Sequence, residues 1–288
     1  MTEMLDRRCN AYRDDLADAA LEGSVQASRF VAGQPYQVVV AIAPLHPVPS
    51  QGADLDTEAL GGEAVQVFDV KDGWAWCQLA GDGYVGYVPV DMLAKEAPPK
   101  PTHRVAAREA FAYQEPTARS KPLRSWLFSS AFKVIATNDD FFELADGGFV
   151  GRQHIEAVDA IEPDYVATAL ALLGAPYLWG GKSMRGIDCS GLVQLSLLRA
   201  GIACPRDTDM QARELPGSLA VTDGSLDALQ RGDLVYWPGH VGIMIDDRQM
   251  VHANGTNMST AIEPVTQVAE RSRQGGPIAT AVKRLMKR

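Results

Sequence analysis

The chain has only four cysteines in 288 residues: Cys9, Cys77, Cys189 and Cys204. No two stand at the short spacing of a zinc site or a disulfide framework. Reduced thiols are therefore expected, and with them a cytoplasmic location. Long apolar runs are missing too. The longest early one, "VVVAIA", falls far short of the roughly 20 residues of a membrane helix. The first residues, "MTEMLDRRCNAYRDDLADAALEG", carry charges throughout and lack the apolar core of a secretory signal. Positive charge is also scarce: 27 Lys and Arg face 36 Asp and Glu, a net charge of -9. A phosphate-binding surface needs a basic field, so this balance argues against a nucleic-acid partner. The expectation is a soluble protein with neither a nucleic-acid nor a membrane partner.

What is present is ordinary globular material. The chain is 46% hydrophobic and 22% charged, and its length suits two or more domains. Residues 1–30 read as an N-terminal helical segment, with Tyr12, Leu16, Ala19 and Ala20 at helical spacing and Gly23 as a stop. Residues 31–97 read as a small all-β barrel, short strands broken by turn signals such as "DVKDGW" and "LAGDGY". The proline-rich "KEAPPKPTH" makes a stiff linker. Residues 98–160 then repeat the pattern: "DGGFVGRQHI" echoes "DGYVGYVPVDML", so a second small barrel is expected. Residues 161–288 change character. A helix ends at Gly174, a glycine-rich loop leads to a second helix carrying Cys189, and "GDLVYW", "HVGIMID" and "QMVHAN" read as antiparallel strands, an α+β domain.

Cys189 is the one thiol in a chemically suggestive setting. In "GGKSMRGIDCSGLVQ", Asp188 is a plausible helix N-cap, which puts Cys189 in the first turn, where unpaired N–H groups and the dipole favour a thiolate. The preceding glycines allow close backbone approach. Cys77 and Cys204 read as packing residues, and Cys9 as an exposed, incidental thiol. A nucleophile needs a base, and there are only five histidines. His46, His103 and His154 read as surface residues. His240 and His252 lie on neighbouring strands. With Ile245 paired to Gln249, His240 falls level with Asn254, and His252 becomes its diagonal neighbour on one face. One histidine would contact the thiol and the other would orient the first.

Together, "LGAPYLWGGKSMRGIDCSGLVQ", "RGDLVYWPGHVGIMI" and "VHANG" resemble the NlpC-type papain-like cysteine peptidases that cut bacterial cell-wall peptides. The resemblance implies a multidomain chain: two small SH3-like barrels followed by an α+β papain-like peptidase domain. It assigns Cys189 as nucleophile, His240 as general base and His252 as the third polar residue, with no metal and no organic cofactor. The two barrels ahead of the peptidase resemble the cytoplasmic γ-D-glutamyl-L-diamino-acid endopeptidases. That class acts on free murein peptides with an exposed N-terminal L-alanine, in cell-wall recycling. Tyr177, Trp179, Asp188 and Ser190 match its pocket positions. In "PRDTDMQ", Asp207 matches the acid that holds the substrate amine, and Thr208 a small polar position. From the first barrel, Asp56 and Tyr84 match residues that close the pocket, with Glu58 as the alternative to Asp56. Two other readings stand beside this one: a non-catalytic module that binds wall fragments, and a cysteine amidase or acyltransferase acting on a non-wall substrate.

Overall fold

In the strand Ala64–Lys71, Val65 and Val67 are buried while Gln66 faces solvent, the period-2 pattern of a half-buried strand. The computed structural model describes residues 5–95, 99–219, 226, 228–273 and 276–285. The chain divides into two units, residues 1–159 and 160–288.

In the first unit, Ala64–Lys71 lies within a five-stranded antiparallel sheet. Its order is Val85–Pro89, Trp74–Leu79, Ala64–Lys71, Gln34–Val38 and Leu93–Ala94. Asp72 and Gly73 both take positive φ (50° and 82°), the two-residue turn that "DVKDGW" signals. A hairpin of Ile42–Leu45 and Thr57–Leu60 adds to this sheet's core, which holds Val38, Leu45, Val65, Cys77, Leu79 and Tyr84. Residues 99–159 form further antiparallel sheets around a separate core of Val105, Ala112, Trp126, Phe132, Leu144 and Val150. Both modules end alike. A strand runs into a three-residue 3-10 turn and then a short strand: Val85–Pro89, Val90–Met92, Leu93–Ala94 in one, and Phe149–Gly151, Arg152–His154, Ile155–Ala157 in the other. Residues 96–98 of the proline-rich linker lie outside the described residues.

The helix expected within residues 1–30 does not form among the described residues there. The segment is an extended arm with one 3-10 turn, Ala19–Leu21, and a short parallel pair, Ala17–Asp18 with Phe30–Val31. Its apolar residues do not share a helical face. Ala11 and Leu16 are buried with Trp76 and Val85, whereas Ala19 and Ala20 face solvent. Arg13 fixes the arm from the other side. Its guanidinium lies 4.4 Å from the centre of the Trp76 ring and pairs with Asp15 and Asp69. His46, expected at the surface, is buried instead: its Nδ1 bonds the Asp54 carbonyl and its ring meets Trp74 edge-on.

In the second unit, α1 (Tyr165–Ala171) is capped by Asp164, and α2 (Cys189–Arg199) by Asp188. α3 spans Thr208–Glu214. The sheet is antiparallel throughout: β1 (Ser218–Leu219), β2 (Leu234–Trp237), β3 (His240–Met244), β4 (Gln249–Asn254), β5 (Ser259–Pro264) and β6 (Ala281–Lys283), in the order β1-β6-β2-β3-β4-β5. α4 (Val265–Ser272) follows β5 and buries Val265, Val268 and Ala269 against Trp237, Met244 and Met250. Every residue of α2 from Cys189 to Leu197 is buried, so this helix is a core element rather than a one-faced surface helix. Among the described residues no helix is long and apolar enough to cross a membrane.

Candidate active site

Cys189 opens α2 because Asp188 stops the preceding strand and caps the helix. One carboxylate oxygen of Asp188 accepts from Gly191 N–H at 2.7 Å and the other from Gly180 N–H at 2.9 Å. The glycines here serve packing. A Cβ at Gly191 would sit 2.5 Å from the Gly181 carbonyl oxygen, and one at Gly181 would sit 2.5 Å from that of Gly186. Backbone meets backbone, and the loop is pressed onto the helix start.

Sequence reasoning missed the group that completes this corner. Arg206 is almost fully buried, and its guanidinium grips Asp188 with two bonds of 2.7 and 3.0 Å. It also donates to Ser190 Oγ at 2.8 Å and to the Gly181 carbonyl at 3.2 Å. Asp188 and Ser190, expected to contact substrate, are thus both buried and engaged with Arg206. No periodicity in "CPRDTD" marks this arginine as internal.

The Cys189 Sγ lies 3.9 Å from Thr208 Oγ1 and 3.9 Å from the Gly239 carbonyl oxygen, and Val241 N–H points at it. Gly239 and Val241 flank His240, so the turn before β3 brings the histidine to the thiol. The β3–β4 register is the expected one: Ile243 faces Val251, Met244 faces Met250, and Ile245 N–H bonds the Gln249 carbonyl. His240 Nε2 consequently meets His252 Nδ1 at 2.8 Å, with the rings edge-on. His252 is completely buried. Two further groups, which sequence reasoning also missed, stand behind it. Glu263 on β5 takes a bond from His252 Nε2 at 2.9 Å, and Arg271 on α4 pairs with Glu263 at 2.9 Å. Strand parity is the signal that finds Glu263, because Ala261 pairs with His252 and Glu263 lies two residues further along the same face.

The electrostatics differ from the expected ready-made thiolate. Burial, and then the charge of Asp188, push the Cys189 thiol up to about 11, against the opposing pull of Val241 N–H, Thr208 and Arg206. Burial, then His252 and Arg271, bring His240 down to about 3, while Glu263 acts the other way. The pair therefore rests as neutral thiol and neutral imidazole. Tyr177 is half-buried beside Cys189 and Asp188, and burial raises its phenol to about 12, which keeps it a hydrogen-bond donor. Cys77 is buried in its barrel core and pushed up to about 12.

Around Cys189 the fold therefore gathers Tyr177, Asp188, Ser190, Thr208, His240 and His252. Trp179 stands 66% exposed in the glycine-rich loop. Asp207 sits half-buried at the N-cap position of α3, where its side chain makes no capping bond. Asp56, Glu58 and Tyr84 belong to the first unit: Asp56 is half-buried just before the strand Thr57–Leu60, Glu58 is buried in that strand, and Tyr84 is buried in the barrel core.

Residues 174–274 match the NlpC/P60 family, and residues 45–93 match the bacterial dipeptidyl-peptidase Sh3 domain. A dipeptidyl-peptidase 6 of Lysinibacillus sphaericus is 30% identical over 240 residues, covering 75% of this chain and 86% of that protein. A gamma-D-glutamyl-L-lysine dipeptidyl-peptidase of Bacillus cereus is 29% identical over 242 residues, covering 73% and 71%. In architecture, the crystal structure of a Bacillus cereus NlpC/P60 family protein superimposes with a TM-score of 0.71 at 21% identity, covering 87% of this chain and 99% of that one.

Proposed function

Because the chain belongs to the NlpC/P60 family, we propose that it is a cysteine peptidase that hydrolyses the γ-D-Glu–diamino-acid bond of murein peptides with a free N-terminal L-Ala, releasing L-Ala-γ-D-Glu. The observation that carries the reading is Cys189 at the start of α2, set against the Gly239 carbonyl and Val241 N–H on either side of His240, with His240 bonded to His252 and all three lying within the family-matched residues. In the mechanism, the His240 nitrogen not bonded to His252 takes the thiol proton as Sγ attacks the scissile carbonyl, because the resting pair is neutral. The Cys189 backbone N–H and the protonated Tyr177 phenol stabilise the oxyanion. His240 then protonates the leaving amine, and water releases the dipeptide.

Asp207 is assigned to the substrate amine, on the support of its half-buried position next to Thr208, whose hydroxyl lies 3.9 Å from the Cys189 sulfur. The roles of Trp179, Asp56, Glu58 and Tyr84 rest on resemblance alone. We also infer that residues 98–160 are a second, degenerate SH3-like barrel, supported by the shared strand, 3-10 turn and short strand that close both modules. Cell-wall recycling in the cytoplasm is carried over from the family resemblance, and cysteines without disulfides among the described residues are compatible with that location.

Mass spectrometry of the products from L-Ala-γ-D-Glu-diaminopimelate peptides, with and without N-acetylation, tests the function. The expected result is release of L-Ala-γ-D-Glu from the free-amine peptide alone, and no turnover by Cys189→Ala. Undiminished turnover by that variant, or equal cleavage of the acetylated peptide, refutes the mechanism or the amine requirement respectively.

A further inference from the structure

We propose that Glu263 and Arg271 are positioning residues that fix which nitrogens of the His240–His252 pair carry protons and set the charge balance behind the pair. This rests on the reading of Cys189 and His240 as nucleophile and base.

The argument starts at the carboxylate. Glu263 Oε2 accepts from His252 Nε2 at 2.9 Å, Asn257 Nδ2 at 2.7 Å and Arg271 at 2.9 Å, and its Oε1 accepts from Arg271 at 3.2 Å. The hydrogen bonds to Arg271 and His252 outweigh its burial and hold Glu263 below the usual carboxylate range, so it is ionised and can only accept. His252 Nε2 must then carry a proton. Asn254 Nδ2, itself a donor, also lies 3.2 Å from that nitrogen, but the ionised carboxylate is nearer at 2.9 Å and its charge-assisted bond decides where the proton sits. Burial keeps the His252 ring neutral against the pull of Glu263, so its Nδ1 is a lone pair. That lone pair accepts from His240 Nε2–H at 2.8 Å. His240 is left with a lone pair on Nδ1, the nitrogen that must receive the thiol proton. One carboxylate thus sets the tautomer of two rings in series.

The charges oppose each other. Glu263 favours the imidazolium that forms on His240, and Arg271 disfavours it. Two uncharged groups also lie against the histidine pair, the Trp237 ring stacked 5.9 Å from His240 and the Asn254 amide at His252; the titratable Cys189, Asp188 and Tyr177 belong to the neighbouring start of α2 and the loop before it. A glutamine at position 263 carries no charge, and its one oxygen is shared among the His252, Asn257 and Arg271 donors that meet Oε2, so it no longer holds the His252 Nε2 proton by a charge-assisted bond or favours the imidazolium on His240.

The experiment uses the full chain as wild type, Glu263→Gln and Arg271→Gln, with thermal melts to verify folding. Two readouts run from about pH 2 to 9, a range that brackets the His240 value of about 3 as well as the ordinary histidine pKa. One is hydrolysis of L-Ala-γ-D-Glu-diaminopimelate. The other is iodoacetamide alkylation of Cys189, followed by peptide mass mapping. Glu263→Gln is expected to lower kcat by about 10²- to 10⁴-fold with KM nearly unchanged. Arg271→Gln removes a cation that opposes imidazolium, so the acid limb of both profiles moves to higher pH by about half a unit, a modest shift because this arginine is partly exposed. A Glu263→Gln enzyme within about threefold of wild-type kcat overturns the proposal, since that is well under the cost of losing an orienting group. So does an acid limb that stays in place in Arg271→Gln. If Glu263→Gln does not fold, the direction of the Arg271→Gln limb decides alone. Alkylation needs no peptide, so failure of the relay is distinguishable from failure of the substrate reading.

Discussion

Replacing Arg206 by methionine tests whether the corner beside the nucleophile is held by a buried ion pair. The guanidinium bonds Asp188 twice, Ser190 Oγ and the Gly181 carbonyl, and almost none of it is exposed. Methionine fills much of the volume but leaves Asp188 buried without its cation. Breaking a buried pair from one side costs about 3–5 kcal/mol, against about 0–1 for an exposed pair. Two backbone N–H groups still reach Asp188, which places the expectation at about 3 kcal/mol, the lower end of that range. For a unit of this size the loss is a drop of roughly 10 °C in Tm. Calorimetry of wild type, Arg206→Met, Asp188→Asn and the double variant measures it, and the two sites should couple by at least about 1.5 kcal/mol. The thiol adds a second, chemical readout. Arg206 lowers the Cys189 pKa and Asp188 raises it, so Arg206→Met should slow Cys189 alkylation near neutral pH. A loss under about 1 kcal/mol, the value of a surface pair, would refute the reasoning.

Two more perturbations probe the same machinery. Tyr177→Phe removes a donor without removing the ring, so kcat should fall by about 10²-fold with little change in KM, read by steady-state kinetics. The pH profile of kcat/KM follows from the sign of the His240 shift. The base works only when neutral, and a pKa brought down to about 3 keeps it neutral well below the ordinary histidine value near 6.5. Activity should therefore persist as pH falls through 6.5, and a half-maximal point near 6.5 would contradict this account.

The parts of the site that were legible in the sequence are those set by local rules. An Asp before Cys189 predicts a cap because the carboxylate needs only the next helical turn. His240 and His252 share a face because a strand has a strict period of two and a short turn fixes the register. Arg206 and Arg271 obey no local rule, and strand parity finds Glu263 only once β5 is known to pair with β4. Each acts on a partner brought in by tertiary folding, and each looks in sequence like any solvated charge. The N-terminal helix failed for a related reason. Alanines at helical spacing imitate an apolar stripe, but the burial that decides the conformation comes from Trp76 and Val85, far along the chain. His46 reads as a surface residue because its burial depends on Trp74 and the Asp54 carbonyl.

A thiol raised by burial at a helix start that ought to lower it looks contradictory, yet both effects serve one site. Burying α2 from Cys189 to Leu197 fixes the position of the proposed nucleophile, and the same burial removes the water that would stabilise a thiolate. The helix N-terminus and Val241 N–H remain aimed at the sulfur, so the negative charge is stabilised only by groups already in place. The proton needs a destination with the same property. His240 supplies it, because imidazolium on that ring faces His252 and, behind it, the ionised Glu263. Charge separation is thus unfavourable at rest, and fixed dipoles and one carboxylate lower its cost as the thiol attacks. A resting ion pair would need a stronger local field than this, and Arg271 weakens the pull of Glu263 on the histidines.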